Sequence, residues 1–199
     1  MEYFLQGLTM GLAYVAPIGV QNLFVINSAL TQNRLRALLT ALIVIFFDIT
    51  LALACFFGIG VIMEHYKWLQ MLIILVGSLI IIYIGVSLLR DKGSEIVRNA
   101  PPPSITSTIY TACVVTWFNP HAIIDGTMML GAFNASLPPT QSTAFILGVA
   151  TASCVWFTGL AMTISLLSDH FNAKVLRVIN LVCGVVIIFF GCKLLLNLI

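Results

Sequence analysis

The chain has 199 residues, of which 60% are hydrophobic and only 8% charged, with a mean hydropathy of +1.09; a soluble domain carries about 25% charged residues. That composition excludes an ordinary soluble protein, and a net charge of +2 excludes a nucleic-acid partner. The chain reads as an all-α integral membrane protein whose constant partner is the lipid bilayer.

Crossing the hydrocarbon core takes roughly 20 apolar residues, and six stretches of that order follow one another. The first, 3–29, starts after Glu2 with no basic n-region and is too long for a signal-peptide core, so it is read as a span. It carries Gly7-x-x-x-Gly11, a spacing that allows close helix approach, within the chain or in a homodimer. Its middle reads APIGVQN, residues 16–22. Pro17 deletes an amide donor and pushes its ring toward the carbonyl four residues back, Gly19 widens the break, and Gln21 and Asn22 follow with amides able to bind backbone or ligand.

The second span, 37–63, buries Asp48 in the run IVIFFDITLALA, and the third is 68–89. Residues 91–104 then form the one linker-like stretch, with charge, Gly93 and three consecutive prolines. This divides the chain into a three-helix unit at 1–90, a cytoplasmic linker, and a second three-helix unit at 105–199.

The fourth span, 105–133, contains TWFNPHAIIDG. Asn119 precedes the break at Pro120, and His121 and Asp125 follow it four residues apart, on one helix face. One proline alone reads as a kink tolerated by neighbouring helices. Two at corresponding positions favour discontinuous helices, which is where transporters place their substrate sites. The fifth span, 142–167, holds Trp156 deep enough to line a cavity, and the sixth is 175–199. Trp68 and Trp117 fit interface anchoring or packing.

Asp48 and Asp125 are the acids deep within spans, with no Lys or Arg at comparable depth. A charged Asp at the bilayer centre costs at least about 2.5 kcal/mol on insertion scales. The bland alternative is that each is protonated and hydrogen-bonded between helices. Otherwise the missing positive charge comes from protons, a metal ion, or the ammonium or guanidinium of a substrate. His121 with Asp125 makes too thin a ligand set for a metal, and His65 and His170 read as interfacial. Cys55, Cys113, Cys154, Cys183 and Cys192 show no C-x-x-C spacing and read as small hydrophobes. No metal or cofactor is expected, and no P-loop, nucleophile elbow or zinc-protease pattern marks an enzyme.

Orientation follows from Lys and Arg. Arg34, Arg36, Arg90, Lys92, Arg98, Lys174 and Arg177 flank the connections after spans one, three and five, against Lys67 and Lys193 on the other side. Those connections are therefore expected in the cytoplasm, with both termini outside. Three spans per half means that duplicated halves would enter the membrane with opposite orientation. APIGVQNLFVI at 16–26 lies against NPHAIIDGTMM at 119–129, and EHYKWL at 64–69 against DHFNAKVL at 169–176. The expected architecture is six transmembrane helices in two inverted-topology repeats, the first and fourth broken at proline.

With these residues in view the chain resembles the LysE-type family of bacterial amino-acid exporters over nearly its whole length. The likeness rests on A-P-I-G-V-Q-N in the first span and T-W-F-N-P-H-A-I-I-D in the fourth, supported by Asp48, by S-x-x-W-F at Ser153 to Phe157, and by K-V-x-R-x-I-N at Lys174 to Asn180. The resemblance implies a carrier in the bacterial plasma membrane that moves L-lysine, L-arginine or related amino acids outward, driven by protons or membrane potential. It implies functional roles for Gly19, Gln21 and Asn22, for Asn119, Pro120 and Asp125, and for Asp48. Three features depart from it: Val20, where the family pattern usually has proline; Thr158; and a shorter linker.

The expected function is export of a basic L-amino acid by alternating access. Asp48 and Asp125 serve as cation or proton sites, Gln21, Asn22 and Asn119 bind substrate or broken backbone, and His121 and Trp156 line the cavity. Two alternatives stand beside it. One is a carrier of neutral amino acids that uses both acids only for proton coupling, and the other is a non-transporting membrane subunit whose acids pair with a partner's basic residues.

Overall fold

The computed structural model describes residues 1–58, 65–90, 103–138, 140–168 and 173–196, and all regular structure among them is helical. In chain order the elements are α1 (Glu2–Val15), α2 (Val20–Thr31), α3 (Arg34–Phe57), α4 (Lys67–Arg90), α5 (Ile105–Trp117), α6 (Pro120–Gly126), a π-helical turn (Thr127–Gly131), α7 (Ala132–Ser136), α8 (Ser142–Leu167) and α9 (Ala173–Leu196). Both α3, of 24 residues, and α8, of 26, are long and apolar enough to cross a membrane, and α1 with α2 passes the same test as one unit bent by 77°. Most of the linker expected at 91–104 lies outside the described residues, as does His170.

Helix ends follow local chemistry. Asn33 caps α3, its side chain accepting from the Arg36 amide at 2.9 Å, as a side-chain oxygen does for an orphan first-turn donor. At the other end Gly58 adopts φ 118° and its amide donates to Ala54 O at 3.1 Å. A residue in this left-handed conformation terminates a helix, so α3 stops at Phe57 rather than reaching 63. Residues 59–64 lie outside the described ones.

The centre of the bundle is α8, packed against α1 and α3. Its buried residues Phe145, Gly148, Val149, Ala152, Ser153, Phe157 and Ala161 recur every three or four positions, which makes one stripe. In lipid, association rests on close packing through small residues rather than on expelling water, and the contact with α1 is built that way. A Cβ added to Gly11 would fall 2.7 Å from the Ala152 Cβ and 2.9 Å from the Val149 Cα, and one added to Gly7 would meet the Phe145 carbonyl. The Gly7-x-x-x-Gly11 face is therefore used inside the chain, which removes it as a homodimer surface.

A second pair, α4 and α9, packs along its own length. It meets the bundle at Pro120, whose ring lies 2.8 Å from where a Gly77 Cβ would stand. Trp117 points inward rather than to an interface: its Nε1 donates to Thr50 Oγ1 at 3.2 Å, and it packs on Leu51, Cys55 and Ile123. Trp68, by contrast, is 64% exposed.

Candidate functional site

Both proline-containing motifs interrupt helix, but the two prolines do different work. Pro17 lies within the four-residue gap between α1 and α2, two positions ahead of Gly19, whose backbone is extended at φ −125° and ψ −170°. Pro120 is the first residue of α6, after the capping residue Asn119. A proline in that position sacrifices nothing, because a first-turn amide has no helical partner.

The carbonyls freed by the first break find a partner in Asn22. Its Nδ2 donates to Val15 O at 3.0 Å and to Pro17 O at 2.7 Å, while its Oδ1 accepts from Trp156 Nε1 at 2.8 Å. Asn22 is only 3% exposed. Of the two roles open to it in sequence, binding backbone is the one its geometry fills. Trp156 stands behind it, outside the cavity lining, so the side chain expected to line the cavity instead buttresses the break.

The second break is held from the first half. Tyr14 Oη donates to Ala122 O at 3.2 Å, and the Asn119 side chain accepts from the Ala122 amide at 3.5 Å. A Cβ on Gly126 would lie 2.8 Å from Cys55 Sγ and 3.3 Å from Tyr14 Cε2, so α6 sits hard against α1 and α3. The π-helical turn follows directly. Such single turns inside helices recur at functional sites.

The two breaks bound one cavity of about 150 Å³, lined by Pro17 to Asn22 from the first, by Asn119, His121, Ala122 and Asp125 from the second, and by Tyr14, Val15, Ile81 and Val186. Gly19 caps α2 with no side-chain hydrogen bond. The amides of Val20, Gln21 and Asn22 thus stand at the cavity wall without a helical partner, as a cluster of donors with positive potential. Across the cavity, Asp125 is 42% exposed and its Oδ2 lies 2.7 Å from His121 Nδ1. The four-residue spacing on one face is realised as contact.

Asp125 thus has the His121 imidazole as a partner, whereas Asp48 is met by neutral donors. Asp48 is fully buried in α3 and lies outside the cavity lining. Gln21 Nε2 donates to its Oδ1 at 3.1 Å, and Ser153 Oγ to its Oδ2 at 2.6 Å. Gln21 also donates to Thr116 Oγ1 at 3.1 Å. One wall residue of the cavity, Gln21, thereby links α2, α3 and α5 through Asp48 and Thr116, and Ser153 extends the link to α8. Tyr14 was not legible in sequence as a site residue, because its bond to Ala122 spans 108 positions; the same holds for the Gln21–Thr116 contact, which spans 95. Among the described residues no three His, Cys, Asp or Glu side chains converge as a metal site, and Cys55, Cys113, Cys154 and Cys192 are free.

Comparison with known proteins meets this geometry from outside. The LysE type translocator profile matches residues 12–198. The chain is 32% identical to the arginine exporter protein ArgO of Escherichia coli strain K12, over 97% of its own length and 93% of the relative's. It is also 32% identical to ArgO of Klebsiella pneumoniae strain 342, over 96% and 92%. No solved structure matches it. A match across nearly the whole chain, breaks and cavity included, makes it a translocator rather than an enzyme: it belongs to the LysE type translocator family.

Proposed function

We propose that the protein exports L-arginine, and L-lysine more weakly, across the bacterial inner membrane by alternating access, driven by protons or membrane potential. The observation that carries the reading is the single cavity bounded by both helix breaks, lined by the first-turn residues of α2 from one break and by the Asp125 carboxylate from the other. A free amino acid with a cationic side chain has matching poles. Its α-carboxylate faces the first turn of α2, as substrate carboxylates do at discontinuous helices. Its guanidinium reaches Asp125 in a charge-assisted, bidentate pair and competes there with His121. The names of the relatives support arginine.

In this reading the chain is an inverted repeat of six spans, with both termini outside. Asp48 acts through Gln21, which it holds at the cavity wall, and a change of charge on Asp48 alters the hold on Gln21 and so couples the ion to the substrate. Between the cavity and the end of the bundle carrying Arg34 and Arg36, Val25, Ala41, Val44, Phe157 and Ala161 are packed together at 0–1% exposure. Such a seal on one side is what alternating access requires. The test is flux from proteoliposomes loaded with labelled L-arginine, with L-leucine as the neutral comparator, under an imposed potential or pH gradient. Arginine efflux with little leucine efflux is expected. Leucine moving as fast as arginine would transfer both acids to coupling alone, and movement of neither would remove the carrier reading.

A further inference from the structure

A second cavity, of about 300 Å³, lies at the end of the bundle where α2 stops, α3 starts and α8 stops, lined by Thr31, Gln32, Asn33, Arg34, Ser165 and Ser168 with Ala29 and Leu30. Along α2 it is roughly 16 Å from the first cavity, at 1.5 Å per residue from Val20 to Thr31. The buried cluster of Val25, Val44 and Phe157 separates the two. Its chemistry is bipolar. Arg34 supplies a guanidinium, and the amides of Arg34 and Leu35 open α3, whose cap Asn33 engages only the Arg36 amide. Facing these are the last carbonyls of α2, beyond the one that Gln32 takes at Ser28, and the hydroxyls of Ser165 and Ser168.

Ser165 is the independent sign of a ligand. It is 6% exposed, lines this cavity, and its Oγ has no hydrogen-bond partner among the described residues. A buried hydroxyl left unpaired is destabilising, and a ligand that hydrogen-bonds to it removes that cost. The neighbouring Ser168 hydroxyl is committed to the Ser165 carbonyl at 2.9 Å and does not relieve it.

We propose that this cavity is a second binding site, for the zwitterionic head group of a free amino acid. The α-carboxylate takes Arg34 and the first amides of α3, and the α-ammonium takes the carbonyl end of α2 and Ser165. Among the described residues no lining side chain is an acid, so the site they form does not select a cationic side chain. It gathers amino acids on the arginine-rich side, and discrimination falls to Asp125 further in. The gathering role rests on the carrier reading; the binding itself does not. Phosphatidylethanolamine presents the same pair of an ammonium bearing N–H donors and an oxyanion, whereas phosphatidylcholine has no N–H to give.

The experiment is equilibrium binding of labelled L-arginine and L-leucine to the purified full chain in phosphatidylcholine nanodiscs. The native protein is expected to bind two arginines and one leucine. Arg34→Gln and Ser165→Ala weaken leucine binding at least about tenfold, the scale of losing a hydrogen bond to a charged group, and each leaves one arginine site. Arg34→Lys recovers part of the loss, and agmatine, which is arginine without its carboxylate, fails to displace leucine. Native protein that binds no leucine, or leucine binding indifferent to both substitutions, overturns the proposal. So does phosphatidylethanolamine, if adding it displaces leucine and native mass spectrometry finds it retained by the native chain but not by Arg34→Gln; the occupant is then lipid. Arginine flux separates the two readings: flux without leucine binding removes only this site, and leucine binding without flux removes only the carrier.

Discussion

Asn22 is where the account is most exposed to test. Its amide makes three hydrogen bonds, to Val15 O, to Pro17 O and from Trp156 Nε1, at a position 3% exposed. Asn22→Leu keeps the volume and removes all three. The Pro17 carbonyl sits at the cavity wall and can turn to water, but Val15 O and the indole N–H are left buried. Orphaned buried groups cost about 1–3 kcal/mol each, while interhelical hydrogen bonds in membranes average nearer 0.6 kcal/mol. A destabilisation of about 2–4 kcal/mol is expected for Asn22→Leu, and about 1 kcal/mol for Trp156→Phe, which leaves a single acceptor alone. The assay is denaturant unfolding in detergent followed by circular dichroism. If Asn22→Leu unfolds within about 0.5 kcal/mol of the native chain, the ordinary scale of a neutral surface change, the broken helix does not depend on this amide and the description of the site is wrong.

Three further outcomes follow from the geometry. Gly11→Leu drives a side chain into Ala152 and Val149 and is expected to destabilise by about 1–3 kcal/mol or more, whereas Gly159→Ala, with nothing within 4 Å, leaves the same unfolding midpoint unchanged or higher. Val20→Pro is expected to fold, since Val20 opens α2 after an extended Gly19 and proline suits that position, but to lose part of its arginine affinity with the amide it removes from the cavity wall; a chain that fails to fold would refute the assigned helix start. Ser153→Ala strips a 2.6 Å donor from buried Asp48, and flux measured in proteoliposomes is expected to fall about tenfold or more, with Ser153→Thr recovering part of it. Native flux in Ser153→Ala would detach Asp48 from transport.

How much of this was legible in the sequence depended on the range of the interaction. Proline breaks, the His121–Asp125 face and the ends of α8 are set by neighbours within about one helical turn, and the structure has them where local rules place them. The job of Asn22 was narrowed to two choices but not decided, because the deciding partner, Trp156, lies 134 positions away. The same holds for Ser153, 105 positions from Asp48. Spacing alone could not say that Gly7 and Gly11 face α8 of the same chain, since a second copy would read identically. The contact between His121 and Asp125 was within reach of the sequence, because residues four apart share one helix face, although the imidazole was weighed there only as a metal ligand.

The measurement closest to the centre is counterflow of labelled L-arginine into proteoliposomes preloaded with unlabelled arginine, comparing the native chain with Asp125→Asn and Asp48→Asn at equal reconstituted amounts. Counterflow needs no driving force, so it isolates binding and translocation from coupling. The account predicts a large loss of apparent affinity in Asp125→Asn, which gives up the carboxylate at the cavity wall, and a lowered rate in Asp48→Asn, whose residue touches the cavity only through Gln21. Native affinity and rate in both variants would contradict it, because the cavity between the two helix breaks would then not be where arginine binds.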